Sequence, residues 1–159
     1  MSLTWAVKMG WHLVRGDFGY NQLKRLSGWR DNGRLGVAGF REPGDFDCTS
    51  GTAAALVQGN VIPPEVLRGT IYSGNFGPAL GRTGMVDRID VTGLTLAQII
   101  AKARPGDSIY GPGHGMLCIG PDQWMSFETD ERGRSTGGKL GRQRGEGVHV
   151  RTLYLRGAS

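Results

Sequence analysis

Cys48, one of two cysteines in the chain, stands at a predicted helix start. Asp47, Thr49 and Ser50 beside it are residue types that cap helix N-termini. Apolar residues then recur at helical spacing at Ala53, Leu56 and Val57. A thiol at a helix N-terminus lies near free backbone N–H groups and the positive end of the helix dipole, and both favour the nucleophilic thiolate. We therefore expect Cys48 to be a catalytic nucleophile, because so polar a neighbourhood is unusual for a cysteine that only fills a core.

A cysteine nucleophile needs an imidazole to exchange its proton and a third group to orient that imidazole. His114 is the better candidate for the base, because it opens a predicted strand after Gly111-Pro112-Gly113, where glycines leave room for a substrate. His149 is the competitor. It lies within a predicted strand between Val148 and Val150, a position that favours a structural or surface role.

The third group should come from the strand that returns beside His114, where alternate side chains share a face. An odd-length turn would bring to that face Trp124, Ser126 and Glu128. An even-length turn would bring Met125, Phe127 and Thr129. Only the first set can both accept a hydrogen bond from imidazole and carry charge. We therefore predict Glu128 as the orienting residue, with Ser126 as the second choice and Asp130 as the third.

The elements that must position these residues form an α+β arrangement, with helices first and an antiparallel sheet last. Helices are predicted at residues 3–15, from Cys48 to near Gly59-Asn60, and at 94–103. Strands are predicted at residues 108–110, 114–119, 123–128 and 148–155. Turns or loops are predicted at 17–22, 30–45 and 130–147. The stripe Leu3, Val7, Trp11 and Val14 is the predicted apolar face of the first helix, and the small residues after Cys48 would allow its helix to pack closely against the sheet.

The length of the chain, 159 residues, suits a single domain with one core. We expect residues 1–159 to form one catalytic domain, with 156–159 as a candidate linker start. The N-terminus lacks the features of a secretion signal, and no apolar run approaches the roughly 20 residues that span a bilayer. We therefore expect a protein held in a cytoplasm, without membrane insertion and without a structural disulfide between Cys48 and Cys118. Cys118 is predicted to be an inert packing residue.

The net charge of +5 and the sequence pI of about 9.6 favour an anionic partner, such as nucleic acid, a membrane surface or a polyanionic cell wall. One Gly-rich stretch concentrates basic residues at Arg132, Arg134, Lys139, Arg142 and Arg144. It lacks the interleaved aromatic residues of single-strand binders, so we expect no nucleic-acid partner. His12, His114 and His149 show no paired ligand spacing, and we expect neither a metal nor another cofactor.

Several short motifs follow one another along the chain: Tyr20, Asp47-Cys48-Thr49-Ser50 at a helix start, Pro105-Gly106-Asp107 before a strand, and His114 at the opening of the next strand. This order resembles the NlpC-like family of cell-wall cysteine peptidases. The tail resembles a loop of phage endolysins of this type, in the segments 128–133, 137–139, 141–145 and 148–151. The stretch Gly69 to Phe76 is similar to endolysins of phages that infect actinobacteria. The resemblance extends over residues 3–155.

The resemblance implies a papain-like fold and peptidoglycan hydrolysis by an endolysin, as an endopeptidase or amidase. Cys48 would attack a peptide carbonyl, with its backbone N–H helping to hold the oxyanion, and His114 would act as base and then as acid. Tyr20 matches a tyrosine that lies beside the cysteine and contacts substrate, and we also assign Asp47, Ser50 and Ser126 to substrate binding. The partner would be the anionic cell wall. We expect a monomer, the catalytic part of a modular lysin, that a holin releases from the host cytoplasm.

This chain departs from the family at two positions. Ser126 matches the place where the family usually has His, Asn or Gln as its third polar residue, which leaves the orienting residue open. The endolysin loop commonly carries Asp-Gln-Thr, where this chain has Arg142-Gln143-Arg144, and the added positive charge would strengthen attraction to an anionic wall. The serine also supports an alternative function, a catalytically silent wall-binding or phage tail-structure domain of the same fold.

Overall fold

The computed structural model of the protein describes residues 3–111, 113–144 and 146–154. Its helices are α1 (Leu3–Arg15), α2 (Cys48–Gln58), α3 (Glu65–Arg68), α4 (Phe76–Arg82) and α5 (Leu96–Lys102), with a 3-10 turn at Gly36–Gly39. Its strands are β1 (Phe18–Tyr20), β2 (Gly44–Phe46), β3 (Ser108–Gly111), β4 (His114–Gly120), β5 (Gln123–Phe127) and β6 (Val148–Arg151). The candidate linker at 156–159, Leu155 of the last predicted strand, Pro112 and Gly145 lie outside the described residues.

The sheet of the C-terminal half has the order β3-β4-β5-β6, and every neighbouring pair is antiparallel. Helices precede this sheet along the chain, so the predicted α+β arrangement is confirmed. The last strand is shorter than predicted, because its pairing with β5 ends at Arg151, opposite Trp124.

The sequence prediction missed a second, parallel pair in the N-terminal half, where β1 pairs with β2 from Phe18 opposite Gly44 to Tyr20 opposite Phe46. Both segments had been assigned to turn or loop. The strands are three residues long and buried at every position, so they carry no alternation of apolar and polar residues. The pairing itself is non-local and leaves no periodic signal. Its effect is to place Tyr20 beside the strand that leads into the Cys48 helix.

Helix α1 buries a different stripe from the one predicted. Its buried residues are Ala6, Met9, Gly10 and Leu13, whereas Leu3 is 39% exposed and Val7, Trp11 and Val14 are half-buried. The reason is close packing: a Cβ on Gly10 would lie 2.7 Å from the side chain of Ile119, and one on Gly59 would lie 2.6 Å from the backbone of Ala6. The small residues Ala6 and Gly10 therefore mark the closest contacts of the buried face, and Val7, Trp11 and Val14 lie at its margins.

Helix α2 packs on the sheet as the small residues after Cys48 predict. Thr49 to Gln58 are all buried, and a Cβ on Gly51 would collide with the ring of Phe127. The helix thus lies directly on β5, one turn after the cysteine. Its end at Gln58, with Gly59 as the C-cap, agrees with the prediction.

The four-stranded sheet separates two apolar clusters. The larger cluster joins α1 and α2 to one sheet face through Leu117, Ile119, Met125 and Phe127. The smaller cluster joins Ile99 of α5 to the opposite face, at Met116, Cys118 and Trp124. Cys118 is 2% exposed, in agreement with its predicted packing role. Within the described part of the chain, no helix is long and apolar enough to cross a membrane.

Candidate active site

Cys48 occupies the first position of α2, and a complete capping box fixes that helix start. The Asp47 carboxylate accepts a hydrogen bond from the Ser50 N–H at 2.7 Å, and the Ser50 hydroxyl accepts one from the Asp47 N–H at 2.9 Å. The Ser50 hydroxyl donates to the carbonyl of Arg25 at 2.7 Å, and Arg25 contacts the Asp47 carboxylate at 3.3 Å. A cap of this kind is worth about 1 kcal/mol. It also holds the thiol at the helix end.

The Cys48 thiol lies against the main chain of β4. Backbone N–H groups of Gly115 and Thr49 hydrogen bond to the sulfur, and the Thr49 hydroxyl lies 3.8 Å from it. Gly115 is the residue after His114, so the thiol reaches β4 at the position next to the predicted base. The two residues come from opposite halves of the chain and meet because α2 packs on β4 and β5.

The electrostatics around the thiol differ from the expectation of a readily formed thiolate. Burial raises the pKa of Cys48 first, and the negative charge of Asp47 raises it further, while the hydrogen bonds from Thr49 and Gly115 lower it. The net direction is upward. The main cause is desolvation of the thiol where α2 packs on the sheet. Ionisation of this thiol therefore calls for a proton acceptor, and the nearest predicted candidate is His114, the residue before Gly115, whose N–H bonds to the sulfur.

The His114 side chain is 7% exposed and is held through Nε2. Ser126 Oγ lies 2.8 Å from this nitrogen, and the Tyr154 hydroxyl lies 3.1 Å from it. The Tyr154 ring also stacks on the imidazole, with a centroid separation of 5.5 Å and an interplanar angle of 26°. Because these contacts use Nε2, the nitrogen that can exchange a proton with a thiol is Nδ1.

Ser126 falls on the face of His114, as predicted, and Leu117 pairs with Met125. The turn itself is even in length, since Gly120 pairs with Gln123, and a register shift between Cys118 and Gly120 restores the parity expected of an odd turn. Glu128, the first choice for the orienting residue, lies behind two hydroxyl groups. Ser126 Oγ donates to Glu128 Oε1 at 3.1 Å, and the Tyr154 hydroxyl donates to the same oxygen at 2.9 Å. The carboxylate is thus linked to the imidazole through Ser126, the second choice, and through Tyr154, which the sequence analysis did not select.

Arg151 completes this network from the far side. Its Nη1 donates to Glu128 Oε1 at 2.8 Å and to Oε2 at 2.7 Å, and its guanidinium carbon lies 4.9 Å from the Tyr154 ring centroid. Burial raises the pKa of Glu128, but hydrogen bonds from Arg151, Tyr154 and Ser126 together outweigh it, and the net pKa lies below the ordinary value. Glu128 is therefore an ionised carboxylate at neutral pH.

The other predicted orienting and base residues are engaged elsewhere. Asp130, the third choice, turns into its own loop and accepts hydrogen bonds from the N–H groups of Arg132 and Arg134, each at 2.8 Å. His149 lies opposite Ser126 on β6 and so shares its sheet face, but its Nε2 contacts Glu146 at 3.3 Å. His114, at the start of β4, is the histidine that Ser126 contacts.

The residues assigned to substrate binding have mainly internal contacts. Ser50 and Ser126 are fully buried, and Asp47 is 7% exposed, with their oxygens committed to the helix cap or to His114. Tyr20 is 5% exposed, and its hydroxyl accepts a hydrogen bond from Gln22 at 3.1 Å. These positions shape the site from behind, with Tyr20 ending the strand beside β2.

The Gly-rich loop between β5 and β6 is attached to β1 through Gln143. The Tyr20 N–H donates to Gln143 Oε1 at 3.0 Å, and Gln143 Nε2 donates to the carbonyls of Tyr20 at 3.2 Å and Lys139 at 2.8 Å. The side-chain amide thus pairs with the edge of β1 as a neighbouring strand would. Arg142, one of the two added arginines, donates to the carbonyl of Arg15 at 2.9 Å, at the end of α1. Its charge therefore caps a helix.

Among residues 3–111, 113–144 and 146–154, no group of three or more His, Cys, Asp or Glu side chains is placed to hold a metal ion. His12, which the sequence assigns to a surface or capping role, contacts Glu42 at 2.9 Å and stacks on Phe40. Comparisons with protein-family models, curated proteins and solved structures returned no significant match.

Proposed function

We propose that this protein is a peptidoglycan hydrolase that cleaves an amide bond of the cell-wall peptide, with Cys48 as nucleophile and His114 as base. The observation that carries the proposal is the placement of the thiol. It sits at the N-terminus of α2, hydrogen bonded to the N–H of Gly115, the residue that follows His114, whose Nε2 is already bonded to two hydroxyl groups. This is the pairing that thiol acyl transfer requires.

The reaction follows from these positions. His114 Nδ1 accepts the thiol proton as Sγ forms a bond to the peptide carbonyl carbon. The carbonyl oxygen takes up the negative charge, and the backbone N–H of Cys48 helps to hold it, because the first N–H groups of a helix have no intrahelical acceptor. His114 returns its proton to the departing amine as the C–N bond breaks. A water molecule, deprotonated by His114, then attacks the thioester and releases a carboxylic acid and the free thiol.

The raised pKa of Cys48 assigns the activation to the imidazole. A thiol that is buried beside Asp47 ionises less readily than one in water, so the helix end alone does not supply the nucleophile. Proton transfer to His114 replaces an isolated thiolate by an ion pair, which the protein interior tolerates far better. Loss of His114 should therefore cost nearly as much activity as loss of Cys48.

The substrate class rests on the resemblance to NlpC-like endolysins, and the structure is consistent with it in two respects. A helix that begins with the proposed nucleophile packs against an antiparallel sheet, one strand of which begins with the proposed base, as the resemblance to a papain-like fold implies. The net charge of +5 would favour an anionic cell wall over a neutral peptide. On this proposal the enzyme is a lysin that acts on the wall after a holin releases it from the host cytoplasm.

The test is digestion of purified actinobacterial peptidoglycan by the wild type, by Cys48→Ala and by Cys118→Ala, with the released fragments identified by mass spectrometry. Cys118→Ala is the matched control because that thiol is buried in the small cluster with Trp124. We expect new termini from the wild type and the control, none from Cys48→Ala, and fragment masses that identify the bond. Cleavage by Cys48→Ala would refute the mechanism. Wall binding without cleavage by any variant would favour the silent-domain alternative.

A further inference from the structure

We propose that Tyr154 is a positioning residue for His114, and that its hydroxyl and that of Ser126 jointly fix the imidazole tautomer by linking Nε2 to Glu128. This inference rests on the proposed Cys48–His114 pair and assigns its orienting group. The role that a single polar residue usually performs is here divided between two hydroxyl groups and a carboxylate behind them. Tyr154 lies 40 residues from His114 in the sequence.

The tautomer follows from counting hydrogens. A hydroxyl carries one proton, and both Ser126 and Tyr154 donate theirs to Glu128 Oε1, at 3.1 and 2.9 Å. Each hydroxyl oxygen therefore offers lone pairs to His114 Nε2, at 2.8 and 3.1 Å. The neutral imidazole satisfies both contacts when Nε2 carries its proton. Nδ1 then holds the lone pair that can accept the proton of Cys48.

Glu128 keeps the two hydroxyl groups in this orientation because it is an acceptor only. An ionised carboxylate has no proton to give, so any hydroxyl bonded to it must donate. Arg151 keeps the carboxylate ionised and fixed through bonds to both of its oxygens. The negative charge also favours the imidazolium that forms when the thiol loses its proton, although a hydroxyl group, and so two successive hydrogen bonds, separates the carboxylate from the ring.

The position of Tyr154 is set by its ring as well as by its hydroxyl. The ring stacks on the imidazole on one side and contacts the Arg151 guanidinium, with that group 4.9 Å from its centroid. A Tyr154→Phe variant keeps both ring contacts and removes only the hydroxyl. This makes the hydroxyl testable apart from the packing of the ring.

The experiment is the rate of Cys48 alkylation by iodoacetamide from about pH 5 to pH 10, with the modified cysteine identified by peptide mass spectrometry. The variants are Tyr154→Phe, Ser126→Ala, the double variant and His114→Ala. Tyr72→Phe is the matched control, since Tyr72 is 56% exposed. Thermal unfolding of each variant shows that it folds. No peptidoglycan is used, so the result is independent of the substrate class.

We expect each single variant to slow alkylation near pH 6–7 by about two- to tenfold, which is the usual range for one hydrogen bond. The double variant should lose more than the product of the two, because one hydroxyl can still fix the tautomer when the other is absent. All variants should reach the wild-type rate at high pH, where the thiol ionises without help. The expected slowing follows from the charges: Glu128 stabilises the imidazolium, and the imidazolium stabilises the thiolate. Asp47 and Arg25, the charged groups at the start of α2, are the same in all variants.

Three outcomes would overturn the inference. A double variant with the wild-type pH profile, alongside a shifted His114→Ala profile, would show that the thiol–imidazole pair exists but does not depend on the hydroxyl groups. An unshifted His114→Ala profile would refute both the thiol–imidazole pair and the hydroxyl link from Nε2 to Glu128. An equal loss of rate at every pH in Tyr154→Phe would indicate a structural role only. Failure to cleave peptidoglycan with the expected profiles intact would instead count against the proposed substrate.

Discussion

Gln143→Ala tests how much one side chain contributes to the attachment of the loop after β5 to the N-terminal half. The Gln143 amide bonds to both backbone groups of Tyr20 and to the carbonyl of Lys139. Tyr20 and Gln143 are buried, at 5% and 3% exposed, whereas Lys139 is on the surface. Alanine removes every one of these bonds and introduces no new group.

The magnitude follows from which partners water can reach. The Lys139 carbonyl can be rehydrated at little cost, because it lies at the surface. The N–H and C=O of Tyr20 stay buried, and each unsatisfied buried group costs about 1–2 kcal/mol. The free energy of unfolding should therefore fall by about 2–4 kcal/mol. For a chain of this size that corresponds to a decrease in Tm of roughly 5–15 °C.

The measurement is urea unfolding monitored by circular dichroism and by tryptophan fluorescence, with the free energy extrapolated to zero denaturant. Gln123→Ala is the matched control, because Gln123 is exposed at the start of β5 and should change stability by less than about 0.5 kcal/mol. If Gln143→Ala unfolds within about 0.5 kcal/mol of the wild type, the amide does not hold the edge of β1, and the reasoning from buried partners fails.

Two further predictions concern packing and pH. Gly51→Ala should lower the free energy of unfolding by about 1–3 kcal/mol, because a Cβ would press α2 away from Phe127. It should also reduce peptidoglycan cleavage by more than the loss of stability explains, because Cys48 would move with the helix. Unchanged cleavage by a folded variant would contradict this. Burial raises the pKa of Asp45 above its ordinary value, despite its bond from the Gly141 N–H. As pH rises above about 3.8, the Asp45 carboxyl loses its proton in the unfolded chain before it does so in the folded protein, and the stability of the fold decreases. Asp45→Asn should therefore raise Tm at pH 7 and lose that advantage toward pH 3. A Tm decrease that is the same at both pH values would contradict this prediction.

The sequence carried strong signals where the structure depends on neighbouring residues. The Asp47–Ser50 cap is a local pattern, and so the helix start and the position of Cys48 were predictable. Alternation along β4 and β5 was also local, and it correctly grouped Ser126 and Glu128 on the face of His114. What parity could not decide is the order of these two groups, because that order depends on side-chain length and on what lies behind them.

The unpredicted parts depend on distant contacts. Tyr154 lies beyond the end of β6, and only the path of the chain after Arg151 brings it back to His114. Strands β1 and β2 are too short to show hydrophobic alternation, so their pairing could not be predicted from the sequence. The raised pKa of Cys48 was missed for the same reason: the sequence shows that a thiol lies at a helix end, but the extent of its burial depends on how closely α2 packs against the sheet.

The groups that handle the proton are close together in the sequence, and the nucleophile is not. The four residues His114, Ser126, Glu128 and Tyr154 all belong to the C-terminal sheet and the residues just after its strands, with separations of 2 to 40 residues between bonded pairs. Closing such loops costs little chain entropy, whereas Cys48 must be delivered from the helical half. On the proposed mechanism, a fluctuation that lifts α2 from the sheet would therefore abolish catalysis while leaving the imidazole correctly oriented, and renewed packing of that one helix would restore it.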